Sequence, residues 1–193
     1  NLQLMTIHAA QSIIFNKSLH NRITSGLPIS APVAGDLVGR VDEKGQLDVA
    51  SCVTVDERTL PRITRNCQLG RLVTTGPLPG SEIYTSSGES GDIELSAITD
   101  YGLEHIDWQV DEIPRLSSNG TRRALVTSYQ ELFVDVVPIA LDESLGEKWQ
   151  QGPKENSRWH PEGACLRFRF TLSSGSYATT LLREFMQCPL NQL

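Results

Sequence analysis

Apolar residues near the start of the chain, Leu4, Ile7, Ile14, Phe15, Leu19 and Ile23, recur at three- and four-residue spacing, the repeat of one helical face. Gly26 and Pro28 follow, a glycine stop with proline beyond it, so the helix is predicted to end there. A natural N-terminus is more often a frayed polar tail than the first turn of an amphipathic helix, and no initiator methionine precedes Asn1. That combination leads to the expectation of further chain upstream.

Short apolar stretches in GDLVGRVDEKGQLDVASCVTV flank Asp42 to Gly45, a four-residue turn with glycine last, which is the pattern of a hairpin. Asp56 is placed to cap a helix running to about Leu69, with Pro61 tolerated in its first turn and Gly70 to end it. A short strand from Arg71 to Thr75 comes next. The stretch from Gly76 to Gly91, rich in glycine, proline and serine, reads as a surface loop before an amphipathic segment from Ile93 to Tyr101.

Three later strands are predicted, Thr121 to Ser128, Glu131 to Pro138 and Ala164 to Leu172. In the last, Leu166, Phe168, Phe170 and Leu172 alternate with Arg167, Arg169 and Thr171, giving one core face and one partly cationic face. Such a strand is expected to pair with strands beyond those of this chain. Ile139 to Glu162, with Gly146, Gly152, Pro153 and Pro161, reads as a long exposed excursion. SSGSYATTLLREFM then turns the chain into a helix from Tyr177 to Met186. A strand, a tight turn and a helix start bring backbone amides and the positive helix end to the strand's carboxyl edge, where a polar or anionic ligand can sit. A plain N-cap by Ser174 or Ser176 fits the same residues.

Composition narrows the class. The chain has 193 residues, 39% of them hydrophobic, enough for a packed core. No run of about 18 apolar residues and no basic-then-apolar start occurs, so a soluble, intracellular protein is expected, without membrane span or secretory signal. A net charge of -6 and a pI near 5.2 argue against a protein that coats nucleic acid along a long phosphate interface. From Arg158 onward, however, four arginines stand against Glu162 and Glu184, which is +2 and leaves -8 for the remainder. A local cationic site and a merely solvated arginine face both fit that count. Cys52, Cys67, Cys165 and Cys188 have no zinc-ligand spacing and are expected to be buried thiols. The sequons at Asn16 and Asn119 matter only in a secreted chain. His105 and Asp107 lie near each other, but no G-x-S-x-G nucleophile motif accompanies them.

The string LRFRFTLSSGSYATTLLRE, Leu166 to Glu184, resembles the last motif of the TruD family of pseudouridine synthases, L-x-F-x-L-P-x-G-S-Y-A-T leading into L-R-E. Ser173 stands where that family usually has proline, a change that relaxes the turn. HAAQSIIFNKSL (His8 to Leu19), GLPISAPVAGDLV (Gly26 to Val38), GRLVTTGPLPGSE (Gly70 to Glu82) and NGTRRALV (Asn119 to Val126) occur in the same order as in archaeal members. The resemblance implies an α+β fold in two parts. Residues 1 to 126 resemble the TruD insertion domain, an α/β module, and residues 127 to 193 the closing strands and helix of the catalytic domain.

The family's chemistry is isomerisation of uridine to pseudouridine in tRNA, at position 13 in well-known members, on a base taken out of the stack. An aspartate in a G-x-K-D-R-like motif is the nucleophile, and no metal or organic cofactor is needed. Neither that motif nor the N-Y-F-G-x-Q-R-F-G block occurs in this sequence, so no catalytic residue is assigned and the chain alone is expected to be inactive. The resemblance implies tRNA and the upstream part of the same catalytic domain as partners, in the cytoplasm, with no membrane. Tyr177 occupies the aromatic position after G-S that binds the target nucleotide, where a ring can stack on a flipped base. Gly175 and Ser176 would shape that pocket by close backbone approach. Arg183 would pair with the absent aspartate or a phosphate, or lie solvated. Arg122 and Arg123, at the proposed junction, would clamp an RNA backbone or bridge to the acidic segment Asp107 to Glu112. A non-catalytic RNA- or protein-binding module on the same fold is the competing reading.

Overall fold

The computed structural model describes residues 2–82, 84–138 and 164–186, and the chain divides into two units between Thr127 and Ser128. The first unit opens with α1 (Leu2–Thr24). Gly26, at φ +79°, donates to the Ile23 carbonyl at 3.0 Å and Leu27 donates to Arg22 at 3.0 Å, a paired stop that only a left-handed residue allows comfortably. The buried face differs from the one the apolar spacing marks. Ile14 and Phe15 are buried as predicted, but Gln11, Ser18 and Arg22 are buried beside them while Leu4 and Ile23 are exposed. Interior partners make this possible: Gln11 Nε2 donates to the Pro79 carbonyl at 2.7 Å and to Ser118 Oγ at 2.8 Å.

The predicted hairpin is present as β1 (Leu37–Val41) and β2 (Leu47–Thr54), antiparallel. Asp42 holds its turn, its carboxylate accepting the backbone N–H groups of Lys44 and Gln46. The next helix, α2 (Leu60–Gln68), starts later than Asp56. Asp56 instead accepts the Thr59 N–H at 2.7 Å and donates its own N–H to Thr59 Oγ1, a reciprocal turn that leaves Thr59 at the N-cap. Those Thr59 hydrogen bonds, the backbone one foremost, hold the Asp56 carboxyl below its usual range.

The largest departure from the sequence reading is β3 (Leu72–Leu78). Gly76 to Gly80 are buried and most of them continue the strand, where a surface loop was predicted. Glycine and proline are tolerated because pairing changes sides along the strand. β1 pairs with Leu72–Thr74, whereas Pro77 pairs on the other side with β4 (Thr121–Ala124), so the missing Pro77 N–H breaks no ladder bond to β1. The sheet order is β2-β1-β3-β4. Ahead of β4 come α3 (Gly88–Thr99), which begins five residues before the predicted segment, and a 3-10 turn at Pro114–Leu116. Ile14, Ala97 and Ile98 form one core between α1 and α3, and Val38, Val55 and Ile63 another beneath α2. Cys52 and Cys67 are half-buried rather than fully buried, and burial pushes both thiols up, which keeps them protonated and poorly nucleophilic.

The second unit contains β5 (Tyr129–Pro138), β6 (Ala164–Leu172) and α4 (Ala178–Met186). The excursion predicted over 139 to 162 lies outside the described residues. β5 and β6 pair antiparallel, with Val134 opposite Phe168 and Val136 opposite Leu166 on one face, and Phe133 opposite Arg169 and Asp135 opposite Arg167 on the other. The predicted alternation is present. α4 covers the first of these faces through Phe185, whose ring centroid lies 5.2 Å from that of Phe168. Leu166 and Val136 on that face remain 59% and 69% exposed. A bulge between Gln130 and Phe133 puts Glu131 at φ +54°, a left-handed conformation that costs a non-glycine residue about 1–3 kcal/mol. Mixed helices and antiparallel sheets make the fold α+β, as expected.

Candidate functional site

The SSGSYAT segment connects β6 to α4 through a four-residue turn. Ser176 donates its N–H to the Ser173 carbonyl at 3.1 Å, and Gly175, the third residue, sits at φ +84°, the conformation a type II turn requires there. The hydroxyls of Ser173 and Ser176 are 3.0 Å apart. The Tyr177 carbonyl accepts the N–H groups of Thr180 at 3.1 Å and Leu181 at 3.4 Å, which places Tyr177 itself at the N-cap rather than Ser174 or Ser176. Its side chain is 60% exposed. An aromatic ring therefore stands at the positive end of a helix, beside a glycine around which a side chain would meet open space. Arg183 lies exposed in the last turn of α4, where a cation is favoured by the helix dipole. Of the sequence-predicted residues, Gly175, Ser176 and Tyr177 are brought together here.

Arg122 and Arg123 sit on β4 in the first unit. Arg122 is buried at 3% exposure, and each nitrogen of its guanidinium is engaged inside the protein. Nη1 donates to Glu94 Oε2 at 2.8 Å and the Tyr84 carbonyl at 2.7 Å; Nη2 donates to Glu94 Oε1 at 2.7 Å and the Thr75 carbonyl at 2.7 Å; Nε donates to Thr75 Oγ1 at 3.1 Å. In this arrangement it has no donor to offer a phosphate, which corrects the reading of Arg122 as an RNA clamp. The salt-bridge alternative named the wrong acids: the partner is Glu94 on α3, not the segment Asp107 to Glu112. Glu94 was legible in principle, since Ser90, Glu94, Ala97 and Ile98 share the helical repeat of the buried face of α3. Arg123 is half-buried with its guanidinium 5.2 Å from the centre of the Phe15 ring. A second buried pair, Arg22 with Asp36, is bidentate at 2.7 Å for both contacts and is joined by the Ser90 hydroxyl.

Comparison with known proteins gives these geometries a setting. The family model described as tRNA pseudouridine synthase D (TruD) matches residues 1–185. The chain belongs to the TruD family of tRNA pseudouridine synthases. A probable tRNA pseudouridine synthase D of Methanosarcina mazei is 34% identical over 187 residues, covering 97% of this chain and 38% of that protein. One of Natronomonas pharaonis is 34% identical over 188 residues, covering 97% of this chain and 36% of the relative. A crystal structure described as a TruD of Methanosarcina mazei covers 100% of this chain and 40% of its own, with a TM-score of 0.75 and 30% identity. The chain thus spans well under half the length of the TruD proteins it matches. Within the TruD match, Leu166 to Glu184 is the segment that folds into β6, the glycine turn and α4. Among the described residues no helix is long and apolar enough to cross a membrane.

Proposed function

We propose that this chain supplies the base-binding end of an enzyme that isomerises uridine to pseudouridine in tRNA, at position 13 as in well-known members of the family. The observation that carries the proposal is the exposed Tyr177 ring at the N-cap of α4, in a chain matched to the TruD family over residues 1–185. Residues 1 to 126 act as the insertion module and residues 127 to 193 close the catalytic domain, whose aspartate nucleophile stands outside this sequence. The flipped uracil stacks on Tyr177. Gly175 and Ser176 let the backbone come close to the base. Arg183 meets either the aspartate or a phosphate, and Arg123 remains a contact for the RNA backbone. The enzyme works in the cytoplasm on tRNA, without a cofactor. Because the sequence holds no G-x-K-D-R motif, the 193-residue chain by itself is expected to form no pseudouridine in a tRNA transcript. Turnover by the pure chain would refute that assignment.

The test of the base contact is Tyr177 in the intact protein. Tyr177→Ala is expected to remove roughly 1–3 kcal/mol, the range for base–aromatic stacking, and Tyr177→Phe to keep most of it. Since the contact forms with the base already out of the helix, the loss belongs in the single-turnover rate more than in tRNA affinity, which phosphate contacts dominate. A folded alanine variant with the parent rate would end the assignment.

A further inference from the structure

No asparagine of the sequence other than Asn119 is followed by glycine. That pair has a reaction of its own. The backbone nitrogen of the glycine, having lost its proton to solvent base, attacks the side-chain carbonyl carbon of the asparagine; a carbon–nitrogen bond closes a succinimide ring and the amide nitrogen leaves as ammonia. Water then opens the ring at either carbonyl, giving aspartate or an isoaspartate whose main chain runs through the former side chain. Glycine favours the step because no Cβ shields its nitrogen and its backbone adopts the required conformation freely. Heat-adapted proteins carry fewer asparagines because the residue is thermolabile.

In the fold this peptide is held from both sides by contacts that lie wholly within the first unit. The Asn119 carbonyl accepts the Glu82 N–H at 3.0 Å, and the Ser118 carbonyl before it accepts the Ser81 N–H at 2.9 Å. The Gly120 N–H donates to Ser118 Oγ at 3.3 Å, and Asn119 Oδ1 accepts from Gln109 Nε2 at 3.3 Å. Gly80 lies so close that a Cβ on it would overlap the Gly120 nitrogen. The nucleophile is therefore covered and the amide it would attack is tethered. Turning the Asn119–Gly120 peptide so that the two meet would break the bond to Glu82. We infer that Asn119 is a modification site guarded by the fold, inert while residues 80–82 stay docked on 118–120 and deamidated once that clamp opens. The isoaspartate product makes the step one-way. It lengthens the main chain by a methylene directly ahead of β4, where Gly80 leaves no room and where Arg122 must meet Glu94. The aspartate product keeps the original backbone.

The experiment follows each asparagine by peptide mass spectrometry in the intact protein, incubated at mildly alkaline pH with and without urea. In urea Asn119 is expected to convert ahead of every other asparagine. In the native protein it should convert roughly tenfold or more slowly, since only the opened fraction reacts. Gly120→Ala should slow the reaction in urea, where folding plays no part. Glu94→Ala removes the carboxylate partner of Arg122 on the adjoining strand, so it should speed conversion without urea and leave the urea rate unchanged. Limited proteolysis of aged native protein should digest the isoaspartate-bearing molecules first, whereas Asn119→Asp, which adds the charge without the longer backbone, should resist like the parent. Native and urea rates within about twofold of each other would overturn the guard. Conversion in urea no faster at Asn119 than at the other asparagines would remove the site. Isoaspartate-bearing molecules as resistant to protease as Asn119→Asp would defeat the one-way step.

Discussion

Glu94→Ala is expected to destabilise the first unit by about 3–5 kcal/mol, the usual result of removing one partner from a buried ion pair. The Arg122 and Glu94 side chains are 1% and 6% exposed. Without the carboxylate, the guanidinium keeps its bonds to the Thr75 and Tyr84 carbonyls but loses both of its charge-neutralising contacts. Ser86 is stranded as well, since its N–H and its hydroxyl both donate to Glu94. The cost comes from leaving a charge uncompensated and two Ser86 donors without acceptors, and not from the worth of the pair. Replacing both residues, Arg122→Met with Glu94→Leu, should recover only the part due to the uncompensated charge, because Ser86 and the Thr75 and Tyr84 carbonyls still lack their partners. Urea unfolding of the two single variants and the double variant checks this through the coupling energy. A single alanine variant within about 1 kcal/mol of the parent would mean that water reaches the pair.

Gly35→Ala is expected to cost about 2–5 kcal/mol, combining left-handed strain with overpacking. Gly35 sits at φ +96°, and a Cβ there would run into the Ser87 carbonyl. The backbone cannot retreat easily, because Gly35 donates to Val55 at 2.7 Å and accepts from Ser87 at 2.8 Å. Gly26 provides the control. It has φ +79° with open space around the missing Cβ, so Gly26→Ala should show the strain alone, about 1 kcal/mol or somewhat more. Equal melting temperatures for the two variants would remove the steric half of the argument.

Elements whose stability is local were the ones readable from sequence. The stop of α1 at Gly26, the hairpin at Asp42 to Gly45 and the alternation of β6 each depend on residues close together in the chain, and all three are present. Elements set by distant partners were misread. Gly76 to Gly80 has loop composition but lies buried, because β4, the Asn119–Gly120 backbone ahead of it and Phe15 of α1 close around it. The polar face of α1 was invisible to a hydrophobic count, since Gln11 and Arg22 are buried against Ser118 and Asp36, far along the sequence. For the proposed site, Gly175, Ser176 and Tyr177 are consecutive, so a contiguous motif names them together and the structure adds their turn geometry. Arg122 looked like a surface cation because nothing in GTRR names a partner 28 residues earlier.

The close approach of Gly80 and Gly120 has a bearing on how the first sheet avoids assembling wrongly. β4 is only four residues long, and two of them are arginines in succession, so a slip by one position would let Arg123 take the place of Arg122 opposite Pro77. A guanidinium would still reach toward Glu94, and charge alone would scarcely reject the error. The same slip, however, would move Thr121 toward the point where Gly120 now lies against Gly80, a gap too narrow for even one methyl group. Two glycines with no side-chain chemistry thus act as a gauge, passing one alignment of a repetitive edge strand and refusing its near-identical neighbour.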